Sequence, residues 1–210
     1  MVVTEKELFD ALASRHTAEG QKKISRASVA ICGLGGLGSN VAIHLARCGV
    51  GRIHLLDFDR VDLPNINRQQ YRLDQIGTPK TEALRDELRD FAPYINIVTD
   101  QVRLTPENIP ELLKADGYIV EAFDKADQKA MLCNSVLEEL PDAFLIAGSG
   151  MAGYGRSNEI QTRRVSSRFY VCGDGETGLE QAGTLFSPRV AICAAHQANL
   201  VIQLIMDGEQ

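Results

Sequence analysis

The chain has 210 residues, enough for one α/β domain and too few for two large ones. Its 44% hydrophobic and 24% charged residues are the mix of a globular chain that fills its own core, which excludes a disordered one. The 22 Lys and Arg against 28 Asp and Glu leave a net charge of −6 with no basic block, so neither nucleic acid nor an anionic membrane finds an electrostatic hold.

The opening Met-Val-Val-Thr-Glu-Lys lacks the basic-then-apolar layout of a signal peptide, and the best apolar stretch, 28–46, is broken by four glycines and His44, so no membrane span is expected. From Thr4 to Arg15, Leu8 and Leu12 fall at helical spacing behind a threonine able to cap, and a polar stretch then leads to Ser25. Ser28 to Cys32 reads as a short buried strand, Gly36 to Cys48 as a helix closed by Gly49, and Arg52 to Asp57 as a second strand. Strand, glycine turn, helix and strand in about 30 residues make a βαβ unit with parallel strands. Residues 60–77 have no clear period and read as a long loop with at most a helical turn; loops of that length are usually functional.

Thr78-Pro79-Lys80 starts a helix with Leu84, Leu88 and Phe91 on one face, ending at Pro93. Strands follow at 95–98 and 117–120 around a short helix at 105–114, then a helix at 127–140 and a strand at 143–147. Residues 159–164 with 169–171 suggest a β-hairpin. The last helix starts at Ser187-Pro188, turns Val190, Ala194, Ala198, Val201 and Ile205 inward, and stops near Asp207-Gly208. The expected fold is a Rossmann-like, open, mostly parallel α/β sheet flanked by helices, with a C-terminal hairpin and helix. It is expected to be a single domain over 1–210: a helical segment at 1–25, a nucleotide-binding core at 26–150, and the hairpin and closing helix at 151–210. Cys32, Cys48, Cys133, Cys172 and Cys193 are scattered with no C-x-x-C pair, which argues against a disulfide framework or a zinc ribbon and fits a reducing cytoplasm.

Gly33-Leu-Gly35-Gly36-Leu-Gly38 fits G-x-G-x-x-G after a strand and at the start of a helix, with Asp57 at the end of the next strand about 20 residues on. Glycines let the backbone approach a nucleotide, the helix N-terminus favours negative charge, and a strand-end carboxylate can accept from ribose hydroxyls. A dinucleotide oxidoreductase would show the same motif. The stretch from Asp57 and Asp59 through Asn65, Arg68 and Gln69 to Lys80 discriminates, because a site for a triphosphate needs such cations and hydride transfer does not. In the first turn of its helix Lys80 opposes the macrodipole, which favours a functional role over a solvated surface lysine. Asp124 follows the apolar run Gly117 to Phe123, where open α/β sheets bind ligands, so Asp57, Asp59 and Asp124 can converge; a helix cap is the plain alternative for Asp124.

The glycine run, Asp57-Phe-Asp59, Asn65-Ile-Asn67-Arg68-Gln69, Gly77-Thr-Pro-Lys80 and Phe123-Asp124 resemble the ThiF/MoeB/HesA family, bacterial relatives of ubiquitin-activating enzymes. The likeness covers roughly residues 15 to 205. Arg15-His-Thr, Gly38-Ser-Asn40, Asn67 to Tyr71, Cys172-Gly-Asp174, Ser187-Pro-Arg189 and Ala195 to Asn199 are most similar to the short ThiF branch of thiamine biosynthesis. The resemblance implies an adenylyltransferase that uses ATP and magnesium to activate the C-terminal Gly-Gly carboxylate of a ubiquitin-like sulfur carrier, giving an acyl-adenylate and pyrophosphate. It also implies that Gly33, Gly35, Gly36 and Gly38 cradle the nucleotide and Asp57 holds ribose. Asn65, Arg68, Gln69 and Lys80 would hold phosphates, Asp124 the magnesium, and Arg15 would reach into a neighbouring subunit of a homodimer.

The chain departs from that family at several positions. Longer relatives bind zinc through two C-x-x-C pairs, of which only Cys172 remains here, so no zinc is expected. Leu179 lies in the region where some thiamine-pathway relatives carry a reactive cysteine, and Lys125 stands where relatives often have Asn. Cys172 is either a small buried residue or a substitute nucleophile. His44 and His54 are expected to be structural, and His16 and His196 carry no derivable role. A molybdopterin-type carrier, a non-catalytic docking homologue and, more distantly, a transfer-RNA dehydratase are the other functions considered. A carrier would need exposed apolar surface near the nucleotide and a channel for its tail.

Overall fold

Seven short strands order the molecule: β1 (Ser28–Cys32), β2 (Arg52–Leu56), β3 (Asn96–Asp100), β4 (Tyr118–Glu121), β5 (Phe144–Gly148), β6 (Gln161–Arg164) and β7 (Phe169–Gly173). The computed structural model describes residues 3–208, so Met1 and Val2 of the opening stretch and the final two positions lie outside the described residues. The strands form one sheet in the order β3-β2-β1-β4-β5-β7-β6, parallel except for the antiparallel β6–β7 pair at one edge. The order reverses at β1, whose Cys32 lies opposite Leu56 of β2 and Glu121 of β4. The carboxyl ends of these three strands therefore open together at the switch point, where α/β sheets take ligands.

The helices are α1 (Glu5–His16), α2 (Ala18–Ile24), α3 (Gly36–Arg47), α4 (Lys80–Arg89), α5 (Ile109–Leu113), α6 (Ala126–Glu139), α7 (Leu179–Ala182) and α8 (Ser187–Asp207). Side-chain alternation along β1 sorts them into two layers. Val29 and Ile31 face a core shared with α3, α4 and α8, while Ala30 and Cys32 face one shared with α5 and α6. Ile31, Leu34, Ile53 and Leu55 are fully buried, and each such side chain stabilises the fold by about 1.5–3 kcal/mol. α8 is long and apolar enough by length and composition to cross a membrane. Here it lies against α3, with Val190, Ala194, Ala198, Val201 and Ile205 buried as its spacing predicts.

Several elements differ from the sequence reading. The stretch before Ser25, read as polar, holds α2: the Thr17 side chain caps it by accepting from the Gly20 N–H, and Gln21 and Ile24 are buried. α4 starts at Lys80, with Pro79 as its cap, and stops at Arg89. α5 is shorter than the 105–114 expected, and α7 falls in a stretch given no element. The 60–77 loop carries two 3₁₀ turns, at Leu63–Asn65 and Leu73–Gln75.

Candidate active site

The glycine turn joins β1 to α3. Gly33 has φ +92, and its N–H donates to the Leu56 carbonyl at 2.9 Å. A Cβ on Gly38 would lie 1.9 Å from the Gly33 carbonyl oxygen, so Gly38 allows the turn to close on itself. Gly36 packs under α8, since a Cβ there would lie 2.9 Å from Val190 Cγ1. Gly35 differs, because a Cβ would meet only Gln69 Nε2 at 3.8 Å. Gly33 and Gly38 thus serve the backbone, while Gly35 keeps space open above the first turn of α3. Gln69 is 7% exposed and its Oε1 has no hydrogen-bond partner, an orphaned polar atom beside that space. An open cradle beside an unmatched acceptor suits a polar ligand.

The first turn of α3 also holds the loop that brings the cations. Asn40 Nδ2 donates to the Arg68 carbonyl at 3.1 Å, and Ser39 Oγ accepts from the Gln70 N–H at 3.1 Å. Arg68 donates through one guanidinium nitrogen to Asn67 Oδ1 at 2.9 Å and through the other to Asn65 Oδ1 at 3.3 Å. Burial pulls the Arg68 guanidinium below its ordinary value, and the Asp124 carboxylate opposes that shift, so the two lie within electrostatic reach of each other. Asp124 is exposed and holds no hydrogen bond among the described residues. It does not cap α6, whose cap position is Lys125. An exposed carboxylate near a cationic loop is an oxygen donor of the kind that would suit a magnesium ion.

Lys80 is 5% exposed, which excludes the solvated-lysine alternative. Its backbone N–H donates to the Asp59 carbonyl at 3.0 Å and its Nζ to Asp59 Oδ2 at 3.2 Å. The two aspartates of the second strand end have separate tasks. Asp57, 8% exposed, accepts from the Leu34 N–H at 2.6 Å and from the Asp59 N–H at 2.8 Å, so both its oxygens brace backbone. The Asp59 side chain is 51% exposed and is the carboxylate open to a ligand. Arg15, exposed on α1, does not join this group. Leu12 of α1 packs at Gly49, before β2 begins, and the Tyr94 hydroxyl, before β3, donates to the Val3 carbonyl at 2.6 Å. α1 therefore lies at the amino ends of strands whose carboxyl ends carry the site, about 17 Å away for a five-residue strand.

Sequence reasoning missed the pair that fixes the Phe123 backbone, just before Asp124. Glu121 is fully buried; its Oε1 accepts from the Phe123 N–H at 2.7 Å and from Lys129 Nζ at 3.0 Å, and Lys129 also donates to the Phe123 carbonyl at 2.9 Å. Burial pushes the Glu121 carboxyl up, and Lys129 opposes it. The signal was an acid inside the apolar strand with a lysine eight residues later. Also missed was the buried Arg189–Asp174 ion pair. Arg189 further donates to the carbonyls of Ala152 at 2.9 Å, Gly155 at 2.6 Å and Arg156 at 2.9 Å, tying the loop after β5 to α8. His54 sits between Asp116 and Asp100, with its ring nitrogens 2.8 and 2.7 Å from their oxygens. Cys172 is fully buried and burial lifts its thiol to about 11, the setting of a structural cysteine rather than a nucleophile.

The profile of the ThiF family matches residues 10–210. The molybdopterin-synthase adenylyltransferase of Salmonella typhimurium is 30% identical over 194 residues, 89% of this chain and 76% of that protein. The sulfur carrier protein adenylyltransferase of Thermus thermophilus is 38% identical over 107 residues, 50% of this chain and 40% of that one. The adenylyltransferase and sulfurtransferase MOCS3 of Aedes aegypti is 36% identical over 135 residues, 63% of this chain and 30% of that one. The chain thus spans less than half the length of the last two. Among solved structures, the tRNA N6-threonylcarbamoyladenosine dehydratase of E. coli in complex with AMP superposes with a TM-score of 0.86 over 99% of this chain and 98% of that one. At 21% identity that likeness shows a shared fold.

Proposed function

The chain belongs to the ThiF family, and from that premise we propose that it adenylylates the C-terminal carboxylate of a ubiquitin-like sulfur carrier with ATP. One observation carries the reading: at the carboxyl ends of β1, β2 and β4, an open glycine cradle, a buried lysine and an arginine beside a free aspartate converge. Attack of a carboxylate on the α-phosphorus forms a C–O–P linkage and breaks the bond to pyrophosphate. No base is needed, because the carboxylate is ionised at neutral pH. The work is positioning and charge neutralisation. Gly35 and the start of α3 face the phosphates, Arg68 and Lys80 offset their charge, and Asn65 steadies Arg68. Asp59 takes the ribose hydroxyls assigned to Asp57 from sequence, since Asp57 is committed to backbone. Magnesium, when bound at Asp124, supplies further neutralisation of phosphate charge.

The assembly in this reading is a homodimer in which Arg15 of the partner subunit completes the phosphate site. The exposed apolar surface is supplied by Tyr154 and Phe186, 76% and 48% exposed, whose rings meet edge to face at 5.7 Å. They flank two adjoining hollows of about 180 and 170 Å³, and Asn67 of the cationic loop donates to the neighbouring Leu185 carbonyl at 3.1 Å. The branch likeness favours a thiamine-type carrier in the cytoplasm. A molybdopterin-type carrier is the second reading, favoured by the Salmonella relative that matches 89% of the chain. Incubating the protein with ATP, magnesium, hydroxylamine and each carrier tests this: a C-terminal hydroxamate on one carrier is expected, and ATP binding without hydroxamate on either contradicts it.

A further inference from the structure

Leu34, between the first two glycines of the turn, has both backbone groups held. Its N–H donates to Asp57 Oδ2 at 2.6 Å, and its carbonyl accepts from the Tyr71 hydroxyl at 2.7 Å. A trans peptide unit points its carbonyl and its N–H in opposite directions. Because Tyr71 holds the Leu34 carbonyl toward the protein interior, the Gly35 N–H of the same unit points out over the turn. That N–H has no acceptor among the described residues. It borders the space that only Gln69 approaches. Tyr71 is 7% exposed. Burial, reinforced by the carboxylates of Asp57 and Asp59, pushes its hydroxyl well above the ordinary value, so it stays a donor.

We infer that Tyr71 is a positioning residue whose hydroxyl aims the Gly35 N–H at a phosphate oxygen of the bound nucleotide. The inference rests on the ATP reading for the identity of the anion, and on the hydrogen bonds alone for the clamp. A donor aimed at a charged acceptor is worth more than a neutral one and is lost steeply with angle.

Tyr71→Phe removes the hydroxyl and keeps the ring. Titration calorimetry is expected to show ATP and AMP binding weakened roughly 5- to 30-fold, with adenosine, which has no phosphate, unchanged. In the unliganded protein the same substitution is expected to move the Gly35 amide resonance while the amides of β3 stay in place. Unchanged ATP affinity would overturn the inference, as would equal losses for ATP and adenosine, which mark a packing defect. A Gly35 resonance that does not move would overturn the clamp whatever the ligand. A moved resonance in a protein whose wild type binds no ATP would support the clamp and contradict the ATP reading.

Discussion

Two physical effects oppose Lys80 where it stands: burial penalises its charge, and the N-terminal end of α4 repels it. Asp59 answers only part of that cost, because its carboxylate is half exposed and also faces the ligand space. A cation held so against local preference is available to a phosphate. Asp174 shows the opposite case, a charge fully answered. Burial alone would raise its carboxyl, but the Thr177 hydroxyl, the Thr177 and Glu176 amides and Arg189 together hold it below its ordinary value. Its folded pKa is therefore below its unfolded one, so its contribution to stability is present above pH of about 4 and is lost as pH falls through the depressed value. Replacing it with alanine leaves Arg189 buried without its carboxylate and is expected to cost about 3–5 kcal/mol at pH 7. Urea unfolding of wild type and Asp174→Asn checks the sign: the gap between them should narrow from pH 5 downward, and a constant gap would contradict it.

At the level of elements, the junction of β1 with α3 separates packing glycines from a binding glycine. Gly38→Ala forces a Cβ onto the Gly33 carbonyl and is expected to destabilise the protein by about 1–3 kcal/mol. Gly35→Ala meets no backbone, so its unfolding midpoint should stay within about 0.5 kcal/mol of wild type while ATP affinity falls about tenfold or more. Denaturant unfolding and ATP titration of both variants separate the two roles; equal destabilisation would contradict the division. The βαβ unit was legible in the sequence because a buried strand, a glycine turn and a 3.6-residue period are all local signals. α2 was not, since the three residues it buries, Gly20, Gln21 and Ile24, include a glycine and a glutamine and stand beside two lysines. α7 has only four residues and no inward face. The separate tasks of Asp57 and Asp59 were also hidden, because which carboxylate braces Leu34 depends on the closed turn, not on spacing. Tyr71 and Arg189 act on backbone groups far away in sequence, which no local pattern reveals.

Across the whole molecule, the sheet gathers its site at one end and leaves Arg15 at the other. An Arg15 that serves the reaction must then do so in a second copy's site. Mixing Arg15→Ala and Lys80→Ala proteins, each inactive alone, is expected to restore about a quarter of wild-type turnover, since random exchange makes half the dimers mixed and each mixed dimer has one intact site. No recovery after verified exchange would contradict a role for Arg15 in the second copy's site.

The central claim, that this site activates a carrier carboxylate with ATP, is tested most directly by ATP–pyrophosphate exchange with magnesium and a Gly-Gly-ended ubiquitin-like carrier. Exchange is expected to require the carrier and its terminal carboxylate and to fall at least about a hundredfold in Lys80→Ala and Arg68→Ala. Exchange without any carrier, or full exchange in the Lys80→Ala and Arg68→Ala double variant, would contradict it.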